Sequence, residues 1–342
     1  MGSVKDLKII KEATNENTGI GRFIFSDRYS IFDWGEMPDT IPDKGTAIAI
    51  LGSYFFEKLE QKGISTHYLG LVENDSAKKL AGVTNLSNAM EVKLLRVVKP
   101  ELEEDKYDYS SYKNETGGFL IPLEIIYRNT LPPGSSVFKR LKNGEIIPED
   151  IGLDAMPEPN QKLAEPMLDV STKLEITDRY LKWNEAREIS GMTEIEISEL
   201  KDLTRKVNNL ITEEFAQIGL FNEDGKIETG YDLNRKLMVV DVLGTLDECR
   251  FTYEGLPVSK EIARIHYRNT DWSKAVEEAK NKDRQNWKKI CALSPEPLSP
   301  KLKQLISMVY CACTNEITKR KWFKDIPPLK EIMKEIKIEL GM

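Results

Sequence analysis

The spacing of Asp224, Lys226 and Glu228 is suited to chemistry on anionic groups. Successive side chains of an extended strand point to opposite faces, so residues two apart share one face. If this segment is a strand, it presents two carboxylates and one ammonium group on the same side. Hard oxygen ligands beside lysine suit Mg²⁺ that carries phosphate. The alternative interpretation is a charged strand face that points to water.

Another acid, Asp241, is predicted to join this face through a β-hairpin. The polar run 230–235 has the composition of a turn, and the apolar run 237–240 that follows it has the composition of a short strand. Asp241 comes directly after that strand, so a hairpin brings it close to Glu228. Two clustered carboxylates repel each other unless a cation lies between them. The hairpin therefore predicts a divalent metal site, with solvated strand edges as the alternative.

The composition indicates a soluble globular protein of two domains, or of one large domain with an appendage. The chain has 342 residues and a net charge of −7, with acids and bases well mixed, which does not favour a nucleic-acid partner. No apolar run approaches the length of a membrane span, and the N-terminus lacks the pattern of a signal peptide. We therefore expect a cytoplasmic protein with no membrane partner.

The cysteines and histidines argue against several kinds of site. The four cysteines show no CxxC spacing, and the chain has two histidines, His67 and His266. A zinc site, a disulfide framework and a histidine-rich metal centre are therefore not expected. Cys311 and Cys313 lie two apart in a helical pattern and are predicted to be buried thiols.

The N-terminal part is predicted to form a hairpin over 1–34 and a helix over 46–62. The helical segment has apolar residues at every third or fourth position and is followed by Gly63, a typical stop. A strand is predicted over 64–72, and the histidine within it is interpreted as structural.

A dense polar cluster, 26–33, follows the second strand of that hairpin. Loops at strand ends are where scaffolds place binding groups. The cluster therefore predicts either a binding site or a turn in which Asp27 pairs with Arg28 or caps a neighbouring segment.

Two further strands carry candidate anion ligands. Lys93 lies in the predicted strand 90–98, where it either reaches phosphate or extends from a sheet edge into water. The predicted strand 119–127 is followed by Arg128 and by a Gly-Ser turn that ends at Ser135. An arginine and a Gly-Ser turn after a strand predict an anion cradle.

Two segments in the second half of the chain have a helical pattern. Thr193 and Glu196 match a capping box at the start of a long amphipathic helix. Residues 272–342 are lysine-rich and almost wholly helical by pattern, which predicts a packed appendage or an oligomer contact. A homo-oligomer, specifically a dimer, is therefore one expectation.

Taken in chain order, these clusters resemble the SAICAR synthetase family, the phosphoribosylaminoimidazole-succinocarboxamide synthases of purine biosynthesis. The resemblance covers about residues 1–270, and its order and combination are more specific than any single motif. The motifs are GSVKD at 2–6, SDRYSIFD at 26–33, IPDKG at 41–45, VKLLRVV at 92–98, PLEIIYRN at 122–129, STKLE at 171–175, DGKIETG at 224–230 and the segment from Asp241 through Asp247 to Arg250.

The resemblance implies an α+β fold. It comprises an N-terminal antiparallel β-sheet domain that covers the nucleotide (1–120), an ATP-grasp-like α/β domain with the metal and substrate site (121–271) and a helical C-terminal extension (272–342). The implied enzyme is an ATP-dependent ligase that forms an acyl phosphate on carboxyaminoimidazole ribonucleotide and then an amide with L-aspartate. The alternatives are a divergent ligase that joins another carboxylate and amine, and a non-catalytic nucleotide-binding regulator.

The resemblance also implies roles for individual residues. Glu228 and Asp241 would hold Mg²⁺ on the phosphates of ATP. The residues expected to contact the nucleotide or its phosphates are Lys5, Lys93 and Glu124. The residues expected to bind the ribonucleotide substrate are Arg128, Ser135, Arg250, Arg268 and Asp27. The residues expected to line the reacting centre are Lys226, Asp224 and Lys173.

Several positions depart from the family pattern. Ser3 stands where a lysine is usual, Tyr127 where a small apolar residue is usual, and Thr229 where a phenylalanine is usual. Asn222 replaces an apolar residue, and 101–118 is inserted between blocks that normally adjoin. The insertion is predicted to lie on the surface. These departures leave the phosphoryl-transfer machinery in place and leave the acceptor open.

Overall fold

The computed structural model describes residues 4–104, 106–284 and 286–342. Gly2 and Ser3 of the predicted opening motif lie outside these described residues. Antiparallel sheets and helices occur together in the described chain, which confirms the predicted α+β class. The strands are β1 (Lys5–Lys11), β2 (Gly19–Phe25), β3 (Tyr68–Glu73), β4 (Ser76–Lys78), β5 (Ala89–Leu94), β6 (Glu101–Glu103), β7 (Lys106–Asp108), β8 (Phe119–Leu131), β9 (Gln161–Thr172), β10 (Phe221–Tyr231), β11 (Leu237–Val240), β12 (Cys249–Tyr253) and β13 (Leu256–Pro257). The helices are α1 (Lys44–Gln61), α2 (Ser136–Lys142), α3 (Trp183–Ser190), α4 (Glu194–Ala216), α5 (Lys260–Arg268), α6 (Asp271–Lys282), α7 (Trp287–Ile290), α8 (Pro300–Thr318) and α9 (Leu329–Glu339).

The N-terminal sheet has the strand order β1-β2-β5-β3-β4 within the described residues. β1 and β2 pair antiparallel, with Lys5 opposite Phe25, which confirms the predicted N-terminal hairpin. β1 lies at the edge of the sheet. Lys5 is therefore held at the start of an edge strand, beside the second sheet.

The segment before β3 connects the two sheets. A strand was expected from residue 64, but β3 begins at Tyr68. The difference arises because the backbone N–H of His67 donates to the carbonyl of Val239 in β11 at 3.0 Å. Residues 65–67 therefore hydrogen-bond across to the second sheet instead of continuing β3.

The second sheet has the order β13-β12-β10-β8-β9 in the described chain, and β11 pairs with β10. β8 is 13 residues long and nearly all of it is buried, as expected for a central strand. β10 and β11 form the predicted hairpin, with Glu228 opposite Val240. Asp241 therefore emerges beside Glu228, as the sequence indicated.

α1 packs against the N-terminal sheet. It begins at Lys44, two residues before the predicted helix, and its apolar stripe is buried in the main core. Gly63 follows it with φ 75°, a left-handed conformation that glycine adopts without strain. At the other end, the Asp27 carboxylate accepts a hydrogen bond from the backbone N–H of Gly45 at 2.9 Å. The capping interpretation of Asp27 thus has a contact in the structure.

α4 covers one face of the second sheet. Its Thr193 hydroxyl accepts from the Glu196 backbone N–H, and the Glu196 carboxylate accepts from the Thr193 backbone N–H. This reciprocal pair confirms the predicted capping box. Gly219, with φ 78°, lies just past the helix end.

Thr193→Ala is expected to lower the free energy of unfolding by about 1 kcal/mol, because it leaves the first backbone N–H groups of α4 without their side-chain acceptor. Chemical denaturation measures this loss. Ser198→Ala, an exposed position one turn into the same helix, is the matched control and should change stability little. Equal stability of T193A and wild type would contradict the cap's energetic role.

The insertion 101–118 is only partly a surface feature. β6 and β7 form an exposed hairpin, as expected, but Tyr112 is fully buried and packs edge-on to Phe119 with ring centroids 5.8 Å apart. The expectation of a wholly surface insertion was therefore wrong for its second half. The expectation rested on the polar composition of the segment. Its tyrosines, however, have apolar rings that can be buried and hydroxyls that form hydrogen bonds.

The same insertion contacts the loop that follows β9. The Tyr109 hydroxyl donates to the Glu175 carboxylate at 3.1 Å, and the Tyr107 hydroxyl accepts from the backbone N–H of Ile176 at 3.0 Å. The loop also closes on itself, because the backbone N–H of Thr172 donates to the Arg179 carbonyl at 3.0 Å. The loop is therefore held both by the insertion and by a hydrogen bond between its own ends.

The C-terminal helices join the main core. α8 packs on α1, where the Ser307 hydroxyl donates to the Pro42 carbonyl at 2.7 Å and the Thr314 hydroxyl to the Ala47 carbonyl at 3.3 Å. Cys311 and Cys313 are buried thiols, as predicted. The division into three domains remains a prediction. Among the described residues, no helix combines the length and apolar character needed to cross a membrane.

Candidate active site

A cluster of two lysines and two glutamates lies where β8, β9 and β10 meet. Glu124 of β8 lies opposite Glu228 of β10 in the register. Lys226, two residues earlier on β10, shares their face and places its Nζ 3.1 Å from a Glu124 carboxylate oxygen. Lys173 follows β9 and contacts both Glu124, at 3.1 Å, and Glu228. The sheet register thus brings together four of the predicted site residues.

Asp241 and Lys5 form a second ion pair next to this cluster. Asp241 has φ 60°, a left-handed conformation that aspartate tolerates better than most residues. The His67 ring nitrogen Nε2 lies 2.9 Å from the Asp241 carbonyl oxygen. Burial lowers the pKa of His67 to about 4, so this histidine is neutral near pH 7. His67 therefore supports the Asp241 backbone, in agreement with its structural interpretation.

The two acids of the hairpin differ in their titration. Burial, together with the negative charge of Asp241, raises the pKa of Glu228 to about 8. Burial also acts to raise the pKa of Asp241, but the adjoining Lys5 outweighs it and lowers that pKa to about 2. The lysines stay cationic, because the negative charges around Lys173 and Lys226 overcome the effect of burial and raise their pKa values. A further positive charge between the two acids would stabilise both.

The metal-free protein is expected to lose stability as pH rises from about 5 through 8, owing to Glu228. Its pKa in the fold, about 8, lies above the ordinary 4.5. The folded state therefore retains a proton that the unfolded state has released, and this stabilising contribution disappears as pH rises through the folded pKa. Thermal melting of wild type and Glu228→Gln across this range measures the effect.

The melting temperature of E228Q should fall less steeply with pH than that of wild type. Asp232→Asn, in the turn of the same hairpin, is the control and should follow the wild-type curve. Parallel curves for wild type and E228Q would show that Glu228 titrates normally.

Arg128 and Arg250 converge on Asp224 beside the cluster. The guanidinium of Arg250 donates to Asp224 through Nε at 2.8 Å, and a guanidinium nitrogen of Arg128 lies 3.7 Å from the same carboxylate. Asp224 is opposite both arginines in the register of β10 with β8 and β12. A cavity of about 270 Å³ opens here and is also lined by Lys226. Five basic and four acidic side chains line this cavity, and the two arginines that converge in it are suited to an anionic ligand.

Several contacts of Arg128 were not predicted from the sequence. Asp169 lies 3.5 Å from a guanidinium nitrogen of Arg128, and the Tyr180 hydroxyl accepts from that nitrogen at 3.2 Å. Ser136, rather than the predicted Ser135, is within hydrogen-bonding distance of Arg128 at 3.4 Å. The Ser135 side chain instead accepts from the backbone N–H of Val137 and caps α2. The Gly-Ser turn therefore lies beside Arg128, but the serine that contacts this arginine is Ser136, and the role of Ser135 in substrate binding remains a prediction.

Two predicted substrate residues do not join the pocket in this structure. Arg268 is exposed at the end of α5 and lies outside the cavity lining formed by the described residues, whereas Arg264 of the same helix lines it. Asp27 follows β2, and its carboxylate accepts a hydrogen bond from the backbone N–H of Gly45 in the first turn of α1. Their roles in substrate binding remain predictions.

Lys93 lines a separate cavity of about 180 Å³ between the two sheets. Apolar side chains from both sheets form most of its wall, and Glu228 and Asp241 lie at its polar end. Lys5 is near, because it pairs with Asp241. An apolar wall combined with cations and acids suits a nucleotide whose base packs between the sheets. Lys226 and Glu228 are two residues apart on β10, so this cavity adjoins the arginine pocket.

Glu228 and Asp241 have the donor chemistry of a magnesium site. Within the described residues, no group of three or more histidine, cysteine, aspartate or glutamate side chains is arranged to hold a metal ion. Mg²⁺ is usually bound through one or two carboxylates together with phosphate oxygens and water. The carboxylate pair therefore fits an ion that is shared with a nucleotide.

The departures at Tyr127 and Asn222 have packing explanations. Tyr127 is fully buried behind the pocket, and its hydroxyl lies 3.2 Å from the Cys249 sulfur. It fits because Gly225 has no side chain: a Cβ there would lie 2.3 Å from the Tyr127 hydroxyl. Asn222 donates to Asn208 and Thr212 of α4 at 3.1 and 2.9 Å. Both residues lie in the core rather than in the pocket.

The sequence of this chain is similar to known proteins over most of its length. A family model described as SAICAR synthetase matches residues 8–279. A protein of Archaeoglobus fulgidus, named putative phosphoribosylaminoimidazole-succinocarboxamide synthase, is 51% identical over 98% of this chain and 99% of its own length. The phosphoribosylaminoimidazole-succinocarboxamide synthase of Thermoplasma acidophilum is 32% identical over 88% of this chain and 93% of its own.

Solved structures share the fold. The SAICAR synthase of Saccharomyces cerevisiae, complexed with SAICAR, gives a TM-score of 0.64 at 21% identity and covers 94% of each chain. A SAICAR synthetase in complex with ADP gives a TM-score of 0.55 at 23% identity, covering 87% of this chain and 99% of that one.

Proposed function

The chain belongs to the SAICAR synthetase family, whose enzymes catalyse the ATP-dependent ligation of aspartate to carboxyaminoimidazole ribonucleotide, and we propose that it performs this reaction at the lysine–glutamate cluster. The observation that carries the assignment is the position of this cluster. It lies between an arginine pocket suited to an anionic substrate and an apolar cavity suited to a nucleotide.

The reaction explains why such a site needs cations more than bases. A carboxylate is a poor electrophile, and transfer of the γ-phosphoryl group of ATP to its oxygen gives it a leaving group. The amine of L-aspartate then forms the C–N bond, the C–O bond to phosphate breaks, and the amine loses a proton. Both steps develop negative charge on oxygen, so positioning and charge stabilisation supply most of the catalysis.

Arg128 and Arg250 are proposed to bind the ribonucleotide substrate through its phosphate and carboxylate groups. Each is already oriented by Asp224, and each guanidinium has donors beyond those contacts. Ser136 and Tyr180 add hydroxyl groups next to Arg128. An anion bound here would lie beside Lys226 and hence at the reacting cluster.

Lys173 and Lys226 are proposed to stabilise the charge that develops on the transferred phosphoryl group and on the acyl carbon's oxygen. Both are held by Glu124, so their positions are fixed before substrate binds. Glu228 and Asp241 would hold Mg²⁺, which, when bound, neutralises and orients the phosphate oxygens of ATP. Lys5 and Lys93 would contact the nucleotide in the cavity between the sheets.

An assay for ADP release with Mg-ATP, L-aspartate and carboxyaminoimidazole ribonucleotide, omitting each in turn, tests the proposal. ADP should appear only when all three substrates are present, together with the succinocarboxamide product by mass spectrometry. ADP release that needs neither aspartate nor the imidazole nucleotide would be ATP hydrolysis and would remove the proposed substrates. If the protein binds ATP but releases no ADP with all three substrates present, a divergent ligase for another carboxylate and amine would be favoured instead.

Two wider expectations accompany this proposal. A homodimer is expected in solution, and sedimentation equilibrium at several concentrations tests it against a monomer. A cytoplasmic location is expected because the substrates of purine biosynthesis are charged small molecules of that compartment. Fractionation of the source cells tests this second expectation.

A further inference from the structure

Tyr310 of α8 reaches the segment that carries the substrate-binding arginine. Its hydroxyl donates to one carboxylate oxygen of Asp247 at 2.6 Å, and Lys44 of α1 pairs with the other at 2.7 Å. Lys260 donates to the Asp247 backbone carbonyl at 2.9 Å. Asp247 is thus held by two helices on its side chain and by a third element on its backbone.

The three side chains are almost completely buried. Lys44 is 0% exposed and Tyr310 is 1% exposed. Burial alone would raise the pKa of Asp247, but Lys44 and Lys260 outweigh it and keep the carboxyl below its ordinary pKa. A buried carboxylate is costly unless its oxygens accept hydrogen bonds, and the Tyr310 hydroxyl supplies a donor to the Asp247 oxygen that Lys44 does not contact.

The held residue controls a short segment of the pocket. Asp247 lines the 270 Å³ cavity, Glu248 contacts Lys226 at 3.7 Å, and Arg250 follows at the start of β12. The backbone N–H groups of Glu248 and Cys249 both donate to the Thr245 carbonyl, which makes 245–250 a tight turn. A shift of Asp247 therefore moves Glu248 and Arg250 with it.

α8 lies outside the residues that the family model matches, which end at 279. We propose that Tyr310 is a positioning residue for the ribonucleotide pocket, acting through Asp247 to fix the turn 245–250 and hence the guanidinium of Arg250. This inference rests on the proposed function for the identity of the ligand. α8 thereby contributes to substrate binding without contacting substrate.

Tyr310→Phe is the first test, because it removes the hydroxyl and keeps the ring. The KM for carboxyaminoimidazole ribonucleotide should rise about tenfold, the effect of losing a hydrogen bond to a charged group. The KM for ATP and kcat should each change by less than about twofold, since the nucleotide cavity and lysine cluster are elsewhere. Thr314→Val, one turn along α8, removes hydrogen bonds to the backbone carbonyls of Ala47 and Tyr310 but keeps the Tyr310 hydroxyl, and it should leave all three parameters unchanged.

A double-mutant cycle shows whether Tyr310 acts through Asp247. In an Asp247→Asn background, Y310F should raise the KM for the ribonucleotide by less than about twofold, because the charged acceptor is already gone. The same factor in both backgrounds would overturn the proposal, as would equal kinetics for Y310F and T314V. If Y310F does not fold, D247N carries the test by hydrogen exchange: faster exchange of 245–250 together with a rise confined to the ribonucleotide KM supports positioning, and unchanged exchange overturns it.

Hydrogen exchange gives a readout that does not require activity. Peptides covering 245–250 should exchange faster in Y310F than in wild type, while T314V should match wild type there. Unchanged exchange in Y310F would overturn the inference even if the enzyme is active. A wild-type protein that fails to turn over the ribonucleotide, yet shows this exchange pattern, would remove the proposed substrate and leave the positioning role standing.

Discussion

Glu228→Gln and Asp241→Asn are each expected to reduce kcat by at least about a thousandfold, because both remove a negative oxygen ligand from the proposed metal pair. The two amides keep the size of the side chains, so the melting temperature should remain within a few degrees of wild type. Steady-state ADP release at saturating Mg-ATP measures the loss.

Titration with MgCl₂ separates weakened metal binding from lost chemistry. A metal ligand predicts that the variants need more Mg²⁺ for half-maximal activity, whatever activity remains. Asp232→Asn, an acid in the turn of the same hairpin, should behave as wild type in both measurements. Near-normal turnover by E228Q and D241N would remove the metal assignment altogether.

Arg250→Ala is expected to raise the KM for the ribonucleotide on the order of a hundredfold, because a charge-assisted contact with the anion is lost from a largely buried pocket. Asp224 would then keep only Arg128, at 3.7 Å, as its arginine partner. The extra uncompensated negative charge in the pocket would further oppose an anionic ligand. Steady-state kinetics with varied ribonucleotide at saturating ATP and aspartate gives the value.

Arg205→Ala is the matched control, since this exposed arginine on α4 pairs with Asp202 of the same helix and is not part of the cavity lining formed by the described residues. It should leave every KM unchanged. An unchanged KM in R250A would place Arg250 outside the substrate site and leave Arg128 as the principal ligand.

The β-hairpin was predictable because its signals are local. Alternating charged residues, a polar turn and a short apolar strand fix the register within about twenty residues, and Glu228 and Asp241 emerge together as a result. The α4 cap was equally local. In both cases the side chains that interact are close in sequence, so spacing alone carries the geometry.

Arg128 and Arg250 could be proposed for the arginine pocket from the sequence. The groups that surround them could not, because their positions depend on long-range packing. Asp169 and Tyr180 lie far along the chain from Arg128 and reach it only through the pairing of β8 with β9 and the loop beyond. Arg264 and Arg268 lie one helical turn apart on α5, and no local signal distinguishes the one that lines the cavity. Asp27 shows a similar ambiguity, since a polar strand end suits a cap and a ligand equally.

The contacts between the 101–118 insertion and the 173–179 loop determine when the loop loses its conformational entropy. Tyr107 and Tyr109 hold this loop without any ligand, and Lys173 is its first residue. The freedom of those residues is then lost once, when the chain folds, rather than each time substrate arrives. Substrate binding therefore does not have to order this loop, and the entropic cost of binding is smaller. Binding kinetics should accordingly show little of the slow phase that loop closure produces. The inserted segment 101–118 thus preorganises the loop that begins with Lys173, a residue proposed to line the reacting centre.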